Sequence, residues 1–365
     1  MRLLVDSVLG DVGGAEAVLP VLEALQRRGS LGQVWAGPLA AAALERGGLP
    51  FQPLAEEPLA RLREGRATLL LTGTSWGDEP PELGYLEAAR TLGIPSISVI
   101  DFWSNYVARF LNRRGDMILP DRIAVPDQVA LLEAVAEGLP EDRLVVTGNP
   151  HYERLLQRYQ GFDRDARLAF RERVGLSRTA TVVLFGSQPL AALYGDRLGY
   201  TEHTALAAVR NGLETVAEWI GHPTVLAIRR HPREAAAPLP ASTSSVRVVD
   251  ASEGDALSWA LAADLVVGMT SALLLQTAVL GGRVVSVQPG LVGVDRLPSN
   301  RLGLSDGVFD GADVASALYR ALARPAHLGS ARAVRRARGA AEGAAFRLMD
   351  LIVAIGTGVV SEAAS

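Results

Sequence analysis

The 365-residue chain has no cysteine, so disulfides, cysteine nucleophiles and thiolate metal sites are excluded. It has no lysine either; all 36 basic residues are arginine. That removes the Schiff-base lysine of pyridoxal enzymes and the phosphate-cradling lysine of a P-loop. The five histidines are scattered, with no H-x-x-x-H spacing, so no metal and no resident cofactor is expected. No run reaches the ~18 apolar residues of a membrane-spanning helix. The nearest, from Leu348 to Val360, is interrupted by Asp350, Gly356 and Gly358. The opening Met1-Arg2-Leu3-Leu4-Val5-Asp6 lacks the apolar stretch and cleavage site of a signal peptide. A soluble, cytoplasmic protein is expected. A net charge of −4 gives no global basic field, so nucleic acid is not an expected partner.

What is present is enough apolar material, 48%, for two sizeable cores. Apolar β-branched runs alternate with amphipathic helical stretches, the pattern of βαβ units and a parallel sheet. In the first half, strands are expected at Leu3 to Val5, Leu31 to Trp35, Thr68 to Thr72, Ser96 to Ile100, Arg122 to Val125 and Leu144 to Val146. The first helix is expected at Glu16 to Arg28. The pattern restarts with a strand at Thr181 to Phe185 and runs through Val284 to Val287. The expected division is a Rossmann-like domain over 1–154, a connecting segment over 155–178 and a second Rossmann-like domain over 179–335. A C-terminal helix within 336–365 is expected to cross back to the first domain.

Open parallel sheets bind ligands beyond the carboxyl ends of their strands. The unusual residues sit there. In the first half, Gly10-Asp11-Val12-Gly13-Gly14 follows strand one, and its glycines let backbone N–H groups approach a ligand. Asp11 is a candidate general base. Ser75 and Trp76, with Asp78 and Glu79 nearby, follow the Thr68 to Thr72 strand. Asp101-Phe102-Trp103-Ser104-Asn105-Tyr106 and Arg109 follow the next one. Aromatics stack on sugars or bases, while Asp, Asn and Arg orient hydroxyls or phosphates. Core packing of Trp103 and a helix cap by Asp101 are the plain structural alternatives. Gly148-Asn149-Pro150-His151 makes a turn at the end of this half.

In the second half, Ser187 and Gln188 follow the strand at Thr181 to Phe185. Arg229-Arg230-His231-Pro232 follows Thr224 to Ile228, an imidazole flanked by cations and fixed by proline, suited to phosphate. Gly268-Met269-Thr270-Ser271 opens a helix, where hydroxyls and free N–H groups form an anion site, and Gln276 lies one turn in.

A strand followed by His231-Pro232, then a strand followed by Gly268-Met269-Thr270-Ser271, resembles the C-terminal half of GT-B proteins, whose two Rossmann-like halves face a cleft. Gly148-Asn149-Pro150 and Leu280-Gly281-Gly282-Arg283 fit the same frame. The His-Pro and Thr-Ser pair is similar to bacterial polysialyltransferases and CDP-glycerol transferases. That resemblance implies that His231, Thr270 and Ser271 bind donor phosphates. Non-hydrolysing UDP-GlcNAc 2-epimerases are more distant and carry a Gly-Gly and an acidic pair where this chain has Met269-Thr270-Ser271 and Gln276-Thr277.

The expectation is therefore an inverting, metal-independent glycosyltransferase for polysaccharide biosynthesis or a related acceptor. Ser187, Gln188, Arg229, His231, Thr270, Ser271 and Gln276 would bind the donor. Gly13, Gly14, Ser75, Trp76, Trp103, Asn105, Tyr106 and Arg109 would bind the acceptor. Asp101 or Asp11 would act as base, with His231 stabilising the leaving phosphate. The alternatives are a nucleotide-sugar 2-epimerase or hydrolase, and a non-catalytic nucleotide-sugar-binding protein. Arg332, Arg335, Arg336 and Arg338 suggest a peripheral membrane contact, and a homodimer is entertained.

Overall fold

A computed structural model describes residues 2–77, 79–234, 238–323 and 331–358. Asp78 and parts of the Ala235 to Ser245 and Leu348 to Val360 stretches lie outside these residues. The chain forms two compact units, Met1–Arg154 with Gly339–Ser365 and Leu155–Arg338.

In chain order the first unit runs β1 (Val5–Leu9), α1 (Val12–Arg27), β2 (Leu31–Ala36), α2 (Pro38–Arg46), β3 (Gln52–Pro53), α3 (Pro58–Glu64), β4 (Leu69–Thr72), α4 (Glu82–Leu92), β5 (Ser96–Val99), β6 (Arg122–Val125), α5 (Gln128–Glu137) and β7 (Leu144–Val146). Helix α6 (Pro150–Arg158) carries the chain into the second unit. There follow α7 (Arg164–Arg173), β8 (Thr181–Gly186), α8 (Leu190–Tyr194), α9 (Glu202–Ile220), β9 (Thr224–Arg229), β10 (Val246–Asp250), α10 (Ala256–Ala262), β11 (Leu265–Gly268), α11 (Ala272–Val279), β12 (Val284–Val287), α12 (Pro298–Arg301), β13 (Asp306–Val308), α13 (Val314–Ala323) and α14 (Ala331–Ala341). Helix α15 (Ala344–Thr357) belongs to the first unit.

The first sheet has seven strands in the order β3-β2-β1-β4-β5-β6-β7 and the second has six, β10-β9-β8-β11-β12-β13. Every strand pair is parallel. Both orders reverse direction once, between β1 and β4 and between β8 and β11. At such a switch point the connections leave to opposite sides, and a crevice opens at the strand tips.

The central strands are buried along their whole length, as parallel strands covered on both faces must be. Helix ends follow local chemistry. Asp11, Asp127, Asp163 and Asp255 each accept a backbone N–H at a helix start. Gly93, Gly138 and Gly221 end helices in the left-handed conformation.

Three expected boundaries move. Strand β1 runs on through Asp6 and Ser7, because both polar side chains are buried inside it and Asp6 accepts from Gln33 N. Helix α1 starts at Val12, so Gly13 and Gly14 lie in its first turn rather than in a loop. The helix expected within 336–365 is divided at Gly343, which has φ +71°, into the end of α14 and α15. Helix α7, inside the expected connecting segment, sends Arg167 and Arg171 to Asp264 within the second unit. Glu153 accepts from Gly343 N and Ala345 N at the start of α15. Leu348, Met349 and Ile352 of α15 then enter the first unit's core. No described helix is long and apolar enough to cross a membrane.

The arginine stretch expected at a membrane is partly engaged elsewhere. Arg338 donates to Val279 O and Leu280 O, capping α11, and Arg336 donates to Leu302 O.

Candidate functional site

The second unit places its candidate residues on the tips of β9, β8 and β11, neighbours across the switch point. Ser187 N donates to Arg229 O at 2.9 Å. Ser187 Oγ donates to Glu234 Oε1, and His231 N donates to Glu234 Oε2 at 2.7 Å. One carboxylate thus ties the tips of β8 and β9. On the other side, Gln188 Oε1 accepts from Thr270 N at 2.9 Å and from Thr270 Oγ1 at 3.4 Å, tying β8 to β11. His231, Ser187, Gln188 and Thr270 therefore belong to one bonded row.

His231 Nδ1 accepts from Arg233 N at 3.1 Å. That leaves Nε2 to carry the ring proton and to donate to a ligand. Ser271 is the residue before the first turn of α11, in extended conformation, but its side chain does not cap the helix. Its Oγ is shut from water and has no hydrogen-bond partner among the described residues. A hydroxyl buried at a helix start, beside unpaired N–H groups, is suited to an anion. Gln276 lies on the second turn of α11.

Arg229 requires a correction. Its guanidinium donates to Ala251 O, Glu253 O and Gly254 O, so it fixes the loop after β10 instead of pointing at phosphate. The Arg229-Arg230-His231 charge cluster of the sequence thus divides into a positioning arginine and a presented histidine.

The first unit gathers carboxylates at the tips of β1, β4 and β5. Asp101 pairs with Arg109 at 2.7 Å. Arg109 is buried and also donates to Thr74 Oγ1 at 2.8 Å and to Ser104 O at 3.2 Å. Asn149 donates to Asp101 O, which anchors the strand end. A Cβ at Gly13 would lie 2.2 Å from Asp101 Oδ2, so only glycine leaves room for that carboxylate against α1. Gly14 packs against the backbone of Gly73 and Thr74, where a Cβ would come within 3.0 Å of Thr74 N.

Asp11 caps α1 by accepting from Gly14 N. Its carboxyl pKa is raised, first by burial and then by the charge of Asp101, against the pull of Gly14 N and Arg109. Glu82, which the sequence reading did not single out, is almost wholly buried behind this group. Its Oε1 accepts from Gly10 N at 2.7 Å and Ser75 Oγ at 2.8 Å. Burial is the main cause that pushes its pKa up, and Asp11 adds to the shift. The one sequence signal for it was an acid directly after Pro80-Pro81 at a helix start.

Several expected acceptor contacts are structural instead. Trp103 is buried, donates from Nε1 to Asp127 at 3.0 Å and packs at a tilt against Tyr152. Tyr106 is buried and donates to Glu133 at 2.7 Å. Ser75 is bonded to Glu82, and Arg109 to Asp101 and Thr74, so neither is presented to an acceptor. Trp76 is exposed. Asn105 is exposed and has φ +56°, the only non-glycine left-handed residue among those described. His151 lies 3.4 Å from Glu16 on α1. Among the described residues no three acidic or imidazole groups are placed to share a metal ion.

No protein-family model matches the sequence, and comparison with curated proteins finds no relative. Solved structures do match. A UDP-GlcNAc 2-epimerase from Neisseria meningitidis, bound to UDP-GlcNAc, is 14% identical, with a TM-score of 0.62 over 96% of this chain and 100% of that one. The UDP-GlcNAc 2-epimerase of Methanocaldococcus jannaschii is 14% identical, with a TM-score of 0.64 over 96% and 99%. The glycotransferase of kitacinnamycin is 16% identical, with a TM-score of 0.62 over 97% and 100%. These likenesses show the fold, two Rossmann-like parallel-sheet halves of the GT-B kind. They are epimerases and a glycotransferase, not polysialyltransferases or CDP-glycerol transferases, so the narrower resemblance gives way while the GT-B frame stands.

Proposed function

We propose that this chain is an enzyme acting on a nucleotide-activated sugar, with the chemistry of a nucleotide-sugar 2-epimerase that needs no acceptor. The observation that carries the nucleotide part is the buried Ser271 Oγ at the start of α11, without a hydrogen-bond partner among the described residues, in a row of strand tips already bonded together. Thr270 and Ser271 take the diphosphate, and His231 Nε2 donates to it. Fixed donors aimed at a phosphate stabilise the charge that grows on it as the C1–O bond breaks and the C2 proton leaves, and they hold the nucleotide for re-addition across the C1–C2 double bond so formed.

The first unit supplies proton transfer. Inverting a sugar carbon requires one group to take a proton and another to return one on the opposite face. Asp11 and Asp101 have that role, with Arg109 and the tight Gly13 contact holding Asp101 in place. The fold likeness to epimerases, one of them bound to UDP-GlcNAc, makes UDP-GlcNAc the first substrate to test.

Glycosyl transfer is the second reading. It is favoured by Gln276-Thr277, which stand where the epimerase resemblance places an acidic pair, by Met269-Thr270-Ser271 in place of its Gly-Gly, and by the likeness to the kitacinnamycin glycotransferase. In that case Asp101 or Asp11 deprotonates an acceptor hydroxyl.

Proton NMR of UDP-GlcNAc with the protein in D2O separates these readings. The C2 epimer with deuterium at C2, formed without an acceptor, supports epimerisation. Free UDP without an acceptor indicates hydrolysis, and UDP release only with an acceptor indicates transfer. Binding without turnover indicates a non-catalytic nucleotide-sugar-binding protein. Neither binding nor turnover with any nucleotide sugar refutes the proposal.

A further inference from the structure

A cavity of about 100 Å3 opens in the second unit beside the start of α11. Leu190, Tyr194 and Leu198, from α8 and the turn after it, form one side; Leu291 and Val292, from the loop after β12, form the other. Thr270 reaches its edge, so the cavity adjoins the helix tip assigned above to phosphate.

The polar groups at its base are already satisfied by one another. Tyr200 Oη donates to Gln288 Oε1 at 3.1 Å, and Gln288 Nε2 donates to Ser286 Oγ and Asp295 Oδ1, both at 2.8 Å. Gln288 is fully buried. No carboxylate lines the cavity among the described residues, and Arg296 is the one charged residue that does. A sugar hydroxyl at the base of the cavity gives up its water where Tyr200, Gln288 and Ser286 already bond to one another, which is unfavourable, and the Arg296 guanidinium is the one charged group of the described lining left to meet it. An apolar group gains by entering.

Size narrows the choice. An apolar cavity of ~150 Å3 accommodates benzene. This one is smaller, so it takes a methyl or short alkyl group and not a nucleobase or a whole sugar ring.

The walls are also held in place before any ligand arrives. Val292 N donates to Leu198 O at 2.9 Å, joining the two sides. Gly199, at φ +79°, lies so close to the facing loop that a Cβ would come within 2.1 Å of Gly290 O. Preformed walls avoid the entropy of ordering a loop on binding. Val292 and Val294 are 64% and 76% exposed, which gives the mouth an apolar rim.

We propose that this cavity receives a small apolar substituent of the compounds handled at the α11 tip. The preferred donor is then a nucleotide-linked deoxy sugar, or the preferred co-substrate carries a short alkyl group. This rests on the nucleotide reading of Thr270 and Ser271.

The test is calorimetric titration of the full chain with UDP, UDP-glucose and UDP-6-deoxyglucose, and of the UDP-saturated chain with n-butyl glucoside. Val292→Asp places a charge at the mouth on an exposed position, and its circular dichroism melt serves as the folding control. A methyl in a matching apolar pocket is worth roughly tenfold in affinity. Binding of UDP-6-deoxyglucose about tenfold tighter than UDP-glucose, with the difference lost in Val292→Asp, supports the proposal and puts the group on the donor. Equal donor binding, with butyl glucoside bound by the wild type and not by the variant, supports it and puts the group on the co-substrate. UDP binding with neither preference overturns the cavity assignment and leaves the nucleotide reading intact. No binding of UDP or either UDP-sugar overturns both.

Discussion

Asp6 and Glu82 are both closed off from water in the first unit, and each keeps one carboxylate oxygen without a hydrogen-bond partner among the described residues. Burial raises the Asp6 pKa from 3.8 to about 6, against the one bond from Gln33 N. The folded state therefore holds a proton that the unfolded state releases earlier. Stability from this group is complete below pH 3.8 and is lost as pH rises through about 6. A shift of this size corresponds to roughly 3 kcal/mol. Asp6→Asn should melt higher than wild type at pH 8 and lose much of its pH dependence between pH 4 and 6; a variant that melts lower at pH 8 would count against this account. Glu82 shifts in the same direction. Glu82→Ala leaves Gly10 N and the Ser75 hydroxyl unpaired and should cost about 1–3 kcal/mol in urea unfolding, while Glu82→Gln keeps an acceptor and should cost less. His231→Ala should abolish the thermal stabilisation by UDP-sugars without lowering the melting temperature of the free protein. An unchanged ligand shift would remove His231 from the phosphate site. These residues differ in how legible they were. His231, Thr270 and Ser271 stand directly after strands in the sequence, and the structure keeps them on strand tips. Glu82 sits ten residues beyond β4, and only the fold brings it back against Gly10. Trp103 and Arg229 misled because residue type does not reveal direction: the indole turns to Asp127, and the guanidinium to three carbonyls.

Elements meet where side chains permit it. Helix α1 approaches the tip of β4 so closely that Gly14 and Gly73 touch backbone to backbone; a Cβ at Gly73 would lie 2.9 Å from Gly14 Cα. Backbone atoms cannot swing aside as a flexible side chain does. Gly73→Ala should therefore destabilise the protein by about 1–3 kcal/mol and, by pushing α1 outward, weaken substrate turnover. Urea unfolding and a turnover assay on the same variant check both parts. The glycines were legible as a place of close approach, but the approaching group was not. They admit a strand tip and the Asp101 carboxylate, where a ligand was expected. Element order was easier to read, since buried parallel strands are continuous apolar runs and need no partner to be recognised. Strand β1 was the exception, because a buried acid interrupts its run.

At the scale of the whole molecule, the last described helix is part of the first unit's core although the second unit lies between them in sequence. Leu348, Met349 and Ile352 are almost fully buried there. Burying each such side chain contributes about 1.5–3 kcal/mol. Ending the chain after Gly343 should thus remove an amount comparable with the stability of an ordinary domain, roughly 5–15 kcal/mol. Loss of the cooperative melt of the first unit, followed by near-ultraviolet circular dichroism, is the expected result. The paired sheets have a further consequence in time. Val5 must find Leu69, and Val183 must find Leu265, before either switch point exists. Pairings between residues so distant along the chain form slowly, because the loop between them must be closed first. During refolding from urea, helical signal should return well before the capacity to bind nucleotide, with competence arriving only when the two central pairings lock.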